Sequence, residues 1–270
     1  MLSDVTFGQY YPASSVIHRM DPRIKLLLTL FYIVAVFIPQ NWFGLAAAVA
    51  FLLMALLLSR LPIRLTLRTL KTVLPIVIFT SVLNIFYVDG TVLFQWSFIT
   101  ITAEGLFTAA FISIRIMCLI AGSSLLTYTT TPTMLTDALE RLLAPLKLLH
   151  VPVHTLAMVM TIALRFIPTL IEETDIIMSA QKARGADLES GGLLKRIKAL
   201  IPILIPLFVS SIRRAYDLAT AMECRCYHGG EGRTRMKQLH LHLRDIFALL
   251  AAAALIAGLI VLNIYMPAVI

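Results

Sequence analysis

Apolar residues fall along this chain in blocks broken by short polar stretches, and the blocks have the length of membrane-crossing helices. Leu26 to Ile38 and Phe43 to Leu58 are two such blocks, separated by Pro39, Gln40, Asn41 and Trp42, a pattern that predicts a helical hairpin turning at one membrane face. The first block is short. Asp21 followed by Pro22 supplies an N-cap and a favoured first helical residue, which extends that helix back through Arg23 and Lys25. Leu70 to Val88 predicts a third span and Gly105 to Leu126 a fourth. Leu243 to Tyr265, interrupted only by Arg244 and Asp245 at its start, predicts the fifth and last.

The segment between the fourth and fifth spans is too polar to cross repeatedly and too apolar to float free, and its periodicity divides it into three helices. Thr131 and Pro132 start the first, in which Leu135, Ala138, Leu139, Leu142, Leu143 and Leu146 recur at helical spacing against Asp137, Glu140, Arg141 and Lys147. That is the pattern of an amphipathic helix lying at the interface. Pro152 starts the second, which runs to about Gly185, and Gly191 with Gly192 separates it from a third, Leu193 to about Arg225. Each long helix has a charge-poor half followed by a charged half, and at about 1.5 Å per residue each extends on the order of 50 Å. The apolar halves can also be taken as spans, but Ala199 to Ile212, with Pro202 and Pro206 inside, is short for that. Helices slanting along the membrane face, with their charged ends in the cytoplasm, are the expectation.

Composition agrees with an all-α, multi-pass membrane protein. Of the 270 residues, 59% are hydrophobic and 14% charged, and the mean hydropathy of +0.87 excludes an ordinary soluble domain. The organisation predicted is a membrane domain of four spans over residues 1–130, a coupling-helix domain over 131–242 and a terminal span over 243–270. The first 25 residues are polar and precede no cleavage pattern, so no signal peptide is expected.

A net charge of +8 raises the question of a nucleic-acid partner, and its distribution answers it. Three Lys or Arg precede the first span, four (Arg60, Arg64, Arg68, Lys71) lie between the second and third, and fifteen lie from Arg141 to Arg244. The stretch Asp89 to Glu104 and the tail after Tyr265 have none. The positive-inside rule then places the amino terminus and the long segment in the cytoplasm and the carboxyl terminus outside. The basic residues belong to a membrane face, not to a nucleic-acid site.

The two long helices end alike. The run Ala180 to Gly185 (AQKARG) and the run Ala221 to Cys226 (AMECRC) share Ala, two variable residues, a small residue, Arg and a small residue, which suggests two equivalent docking sites. Either arginine alone is explained by the helix dipole. The pair is not, because small neighbours admit a partner's backbone and guanidinium binds carboxylate in two places.

These motifs, with GQYYPASSVIHRMDPRIKLL (Gly8 to Leu27), TPTMLTDALERLLAPLK (Thr131 to Lys147) and TIALRFIPTL (Thr161 to Leu170), resemble the T component of energy-coupling factor transporters over nearly the whole chain. The resemblance implies a prokaryotic membrane subunit joining two ABC-type ATPases to a small membrane S component that captures a vitamin or other micronutrient. It implies docking through Ala183, Arg184 and Gly185 at the first coupling helix. At the second, where the family has Ala-Arg-Gly, this chain has Cys224, Arg225 and Cys226, so only the arginine matches; Gly229 with Gly230 is then expected to supply the chain reversal. No cofactor, metal or catalytic residue is implied.

Other readings are weighed on residues. No glycine precedes lysine, so a phosphate-cradling loop is absent. Cys224, Cys226 and His228 lack a fourth ligand at structural-zinc spacing, and the three cysteines, Cys118 included, are expected to be free thiols. Arg115, in the fourth span, is expected to pair with a neighbouring helix, for instance near Asn84. An enzyme acting at the cytoplasmic interface is the alternative, with Glu172, Glu173 and Asp175 as its acid-base candidates. A self-contained secondary transporter is disfavoured by the lack of paired inverted repeats.

Overall fold

A computed structural model describes residues 9–96, 99–186, 192–229 and 239–266. They form eight α-helices, a 3-10 helix at Ala144–Leu149 and one two-stranded hairpin. The helices are α1 (Pro22–Phe37), α2 (Trp42–Ser59), α3 (Ile63–Tyr87), α4 (Ala103–Thr129), α5 (Pro132–Leu142), α6 (Val153–Ala183), α7 (Leu193–Glu223) and α8 (Leu243–Tyr265). The apolar pattern does not predict the hairpin: β1 (Val92–Trp96) pairs antiparallel with β2 (Ile99–Thr102), and the register shifts between Val92 and Phe94.

Two compact units are present, one of Gly8–Ala138 with Gln238–Ile270 and one built on Leu139–Lys237. Among the described residues, five helices are long and apolar enough to cross a bilayer: α2, α3, α4, α6 and α8. The number agrees with expectation and the membership differs. At 16 residues, α1 is about 24 Å long, short of a hydrocarbon core of about 30 Å. The 31 residues of α6 pass on length and composition.

In the first unit α4 is the central helix, packing against α1, α2 and α3, while α8 packs on α1 and α2. The core is Tyr32, Val36, Ala48, Leu52, Cys118 and Ala121. Tyr32 fixes the approach of the helices. Its ring stacks on Phe51 at 6.1 Å, its hydroxyl donates to the Ala48 carbonyl at 3.3 Å, and its edge lies where a β-carbon on Gly122 would stand, 2.6 Å away. Glycine is needed there because α1 and α4 meet too closely for any side chain.

Buried polar networks fasten the two ends of the unit. At one end Asp21 caps α1, accepting from the Arg23 N–H at 2.9 Å and pairing with the Arg23 guanidinium at 2.7 Å. The Asp21 N–H donates to the fully buried Asp245 carboxylate of α8, whose other oxygen accepts from the His242 N–H. Buried Lys25 donates to the Thr129 carbonyl at the end of α4, at 2.8 Å, and to the His18 carbonyl. Desolvation opposes ionisation of Asp21, but the bonds from Arg23 outweigh it and hold the carboxyl below its usual range. Its contribution to stability is therefore present above a pH of about 4 and is lost as pH falls through the depressed value.

At the other end, Asn263 of α8 donates to the Ile38 carbonyl at 2.7 Å and accepts from the Gln40 N–H at 3.0 Å, while Asn41 caps α2 and donates to the Leu262 carbonyl at 3.1 Å. Arg115 belongs to this network. Its guanidinium donates to the Pro39 carbonyl at 2.6 Å and lies 4.8 Å from the Phe111 ring centroid. Asn84, the partner expected from sequence, bonds instead to the Thr80 carbonyl of its own helix. The turn between α1 and α2 exposes carbonyls that no helix satisfies, and that is what draws the arginine.

Gly122→Ala is expected to destabilise the chain by about 1–3 kcal/mol through overpacking against Tyr32. Gly258→Ala, where the added carbon meets nothing within 4 Å, should change stability by no more than about 1 kcal/mol. Thermal unfolding in detergent should separate the two; equal midpoints would contradict the close approach.

Candidate functional site: two arginine-capped helix ends

The second unit is dominated by α6 and α7, which pack on each other. Three contacts fix their direction. The Gln181 side chain donates to the Pro202 carbonyl at 3.3 Å, Arg214 pairs with Glu173 at 2.7 Å, and the Tyr227 hydroxyl donates to the Met158 sulfur at 2.9 Å. Partners descend along α6 as they rise along α7, so the helices form an antiparallel hairpin and their carboxyl ends lie at opposite ends of it. From Met158 to Arg184, at about 1.5 Å per residue, the two ends are roughly 35–40 Å apart along the axis.

Both ends close with the same cap. At the first, the Ala186 N–H reaches back to the Gln181 carbonyl at 3.0 Å and the Gly185 N–H to the Lys182 carbonyl at 3.0 Å. At the second, the Tyr227 N–H bonds to the Met222 carbonyl at 3.1 Å and the Cys226 N–H to the Glu223 carbonyl at 2.8 Å. This pair of bonds is the Schellman motif, which needs one residue in the left-handed region just past the helix. Gly185 takes that place with φ +86° and Cys226 with φ +52°. Arg184 and Arg225 therefore occupy the same cap position, each directly before the reversal.

The six residues expected from sequence are thus in two equivalent places. Ala183, Arg184, Gly185, Cys224, Arg225 and Cys226 are all exposed, and among the described residues neither arginine has an ion pair. One expectation is corrected. The reversal at the second end is made by Cys226 itself; Gly229 is also left-handed, at φ +102°, but lies three residues further on, and Gly230 lies outside the described residues. Nothing stands within 4 Å of a β-carbon built on Gly185, so conformation and not crowding within the chain demands glycine there.

Two braces were missed in the sequence. A carbonyl in a helix is normally capped by the N–H four residues on; four residues beyond Pro202 stands Pro206, which has none, and Gln181 fills the vacancy. The Pro-x-x-x-Pro spacing is a signal that a partner helix is needed. The Tyr227–Met158 contact has no such signal.

As to catalysis, Glu173 is engaged by Arg214, and among the described residues no three His, Cys, Asp or Glu side chains gather to hold a metal. Cys224 and Cys226 are free thiols, as is Cys118. The geometry describes a braced helical hairpin with an exposed, capped arginine at each end.

Comparisons with known proteins place the chain in a family. Residues 13–236 match the family model CbiQ, described as cobalt transport protein. The chain is 53% identical over 258 residues to the energy-coupling factor transporter transmembrane protein EcfT of Clostridium kluyveri, covering 95% of this chain and 96% of that one. It is 51% identical over 246 residues to EcfT of Ruminiclostridium cellulolyticum (91% and 92% covered) and 50% over 268 residues to EcfT of Acidaminococcus fermentans (99% and 100% covered). The chain belongs to the EcfT/CbiQ family: it is a transmembrane T component, a non-catalytic scaffold subunit of an energy-coupling factor transporter.

A β-carbon at a left-handed residue costs on the order of 1 kcal/mol. Cys226→Gly should remove that cost and slow hydrogen exchange of the Tyr227 amide by about fivefold. Faster exchange would show that the second end is not held by this cap.

Proposed function

We propose that Arg184 and Arg225 are the two points at which this subunit grips two ABC-type ATPases, one at each end of the α6–α7 hairpin. The observation that carries this reading is the identical cap on two exposed arginines at opposite ends of the hairpin. A separation of roughly 35–40 Å suits two globular partners side by side, one per arginine. Acidic groups in each partner groove would take the guanidinium fork.

In this reading residues 1–130 and 243–270 are the membrane part, and residues 131–242 couple it to the ATPases. The amino terminus lies in the cytoplasm of a prokaryotic cell and the carboxyl terminus outside, following the Lys and Arg distribution. The crossing helices are α1, completed by its polar ends, with α2, α3, α4 and α8; helix α6 runs along the membrane face with α7 and does not cross, because its hairpin partner is not itself a candidate span and Glu173 and Arg214 join them by charge. Closure of the ATPases on ATP displaces the two caps, and the braced hairpin passes the displacement to a substrate-binding S component in the membrane, which releases its vitamin or other micronutrient inward.

Removing one partner of a buried, hydrogen-bonded charge pair costs about 2–5 kcal/mol. Arg184→Ala or Arg225→Ala alone should weaken ATPase co-purification while leaving partial assembly, since the second dock acts at high effective concentration when the ATPases pair. The double variant should insert in the membrane and lose both ATPase binding and uptake. If the arginines only complement helix dipoles, each change costs about a kcal/mol or less, and wild-type stoichiometry in the double variant would refute the docking role.

A further inference from the structure

A second cluster of arginines lies in the first unit. Arg19 from the segment before α1, Arg60 from the C-cap of α2 and Arg244 from the first turn of α8 line one cavity of about 560 Å³, together with Ser14 and with Leu57 and Leu58 of the last turn of α2. Three cations from three separate elements converge there, and among the described residues no carboxylate lines the cavity. The nearest acids in the sequence are committed elsewhere: Asp21 pairs with Arg23, and Asp245 accepts the N–H groups of Asp21 and His242. Among the described residues, Arg19, Arg60 and Arg244 have no ion pair.

We propose that this cavity binds the phosphate headgroup of an anionic phospholipid. Three guanidiniums brought together without a counter-charge repel one another, and a phosphodiester relieves this while accepting forked hydrogen bonds. The apolar rim decides between a lipid and a soluble phosphate. Leu57 and Leu58 are 76% and 50% exposed on the final turn of α2, a helix long and apolar enough to cross the membrane. An acyl chain joined to a phosphate in the cavity continues along that exposed face into the hydrocarbon; an inorganic or sugar phosphate has no use for it. A zwitterionic headgroup brings an ammonium among three arginines and is disfavoured. The lipid thus fills the charged junction where the N-terminal segment, α2 and α8 meet. The inference does not depend on the ATPase docks, only on this end of α2 reaching a membrane face.

The test is native mass spectrometry of the delipidated full-length chain, titrated with phosphatidylglycerol and with phosphatidylcholine of the same acyl chains. The wild type should prefer phosphatidylglycerol. With about fivefold in affinity per arginine near an anionic lipid, Arg19→Gln/Arg60→Gln/Arg244→Gln should lose about a hundredfold and bind the two lipids alike. Arg64→Gln/Arg68→Gln removes two exposed charges beside the same helix ends but outside the cavity, and should keep the preference. If the triple variant does not fold, Arg19→Gln/Arg244→Gln decides, with an expected loss of about twentyfold. The proposal is overturned if the wild type shows no preference, if the cavity variants retain it, or if the control pair loses it equally. Displacement of the lipid by equimolar glycerol 1-phosphate would assign the cavity to a soluble phosphate and overturn the lipid assignment.

Discussion

A helix that closes on itself through the paired bonds of the Schellman motif must put the next residue in the left-handed region, and both long helices of this chain meet that demand directly after an arginine. The constraint fixes where Arg184 and Arg225 stand and where the chain goes next. Glycine satisfies it without strain at position 185. Cysteine satisfies it at 226 despite a β-carbon that the left-handed region disfavours, so the cap at the second end is strong enough to hold a residue that the local backbone disfavours. The Ala-Arg-Gly pattern is in this light a description of a backbone shape, and Cys-Arg-Cys is a second way of writing it.

The caps alone do not set the distance or the angle between the arginines; the braces do. Gln181 sits one turn before Arg184 and its side chain holds the carbonyl that Pro206 leaves without an N–H donor. Tyr227 sits two residues after Arg225 and holds Met158. Each cap is therefore tied to the opposite helix, and the Glu173–Arg214 pair ties the middle. Braced in this way, the hairpin suits the proposed lever between two ATPases and a membrane partner. The two ends are not equal in one respect: the residue completing the cap is Ala186 at the first and Tyr227 at the second, and only the tyrosine has a side chain that reaches across.

Much of this is legible in the sequence, and for identifiable reasons. Asp21–Pro22 marks the start of α1, the apolar block Leu243 to Tyr265 matches α8, and the recurrence of Ala-x-x-small-Arg-small locates both caps. Local signals suffice because each feature is set by neighbours in the chain. Features set by distant residues are hidden or misplaced. Sequence points Arg115 towards Asn84, but the unsatisfied Pro39 carbonyl, 76 residues away, claims it. The β1–β2 hairpin sits in a segment of mixed polarity with no clear two-residue alternation. Composition favours Gly229 and Gly230 over Cys226 for the second reversal, whereas the helix's own hydrogen bonds select the cysteine. Length and composition put α6 and not α1 among the candidate spans; in the proposed topology the polar ends of α1 complete it and a partner helix claims α6.

The central claim is that one antiparallel hairpin carries the two arginine caps at its opposite ends. Pulsed electron paramagnetic resonance between spin labels at Lys182 and Glu223, equivalent positions of the two caps, tests it directly once Cys118, Cys224 and Cys226 are replaced by serine. The account predicts a distance on the order of 35–45 Å, in the isolated chain and in complex with the ATPases. A distance below about 20 Å, which a side-by-side arrangement of the two caps requires, would contradict it.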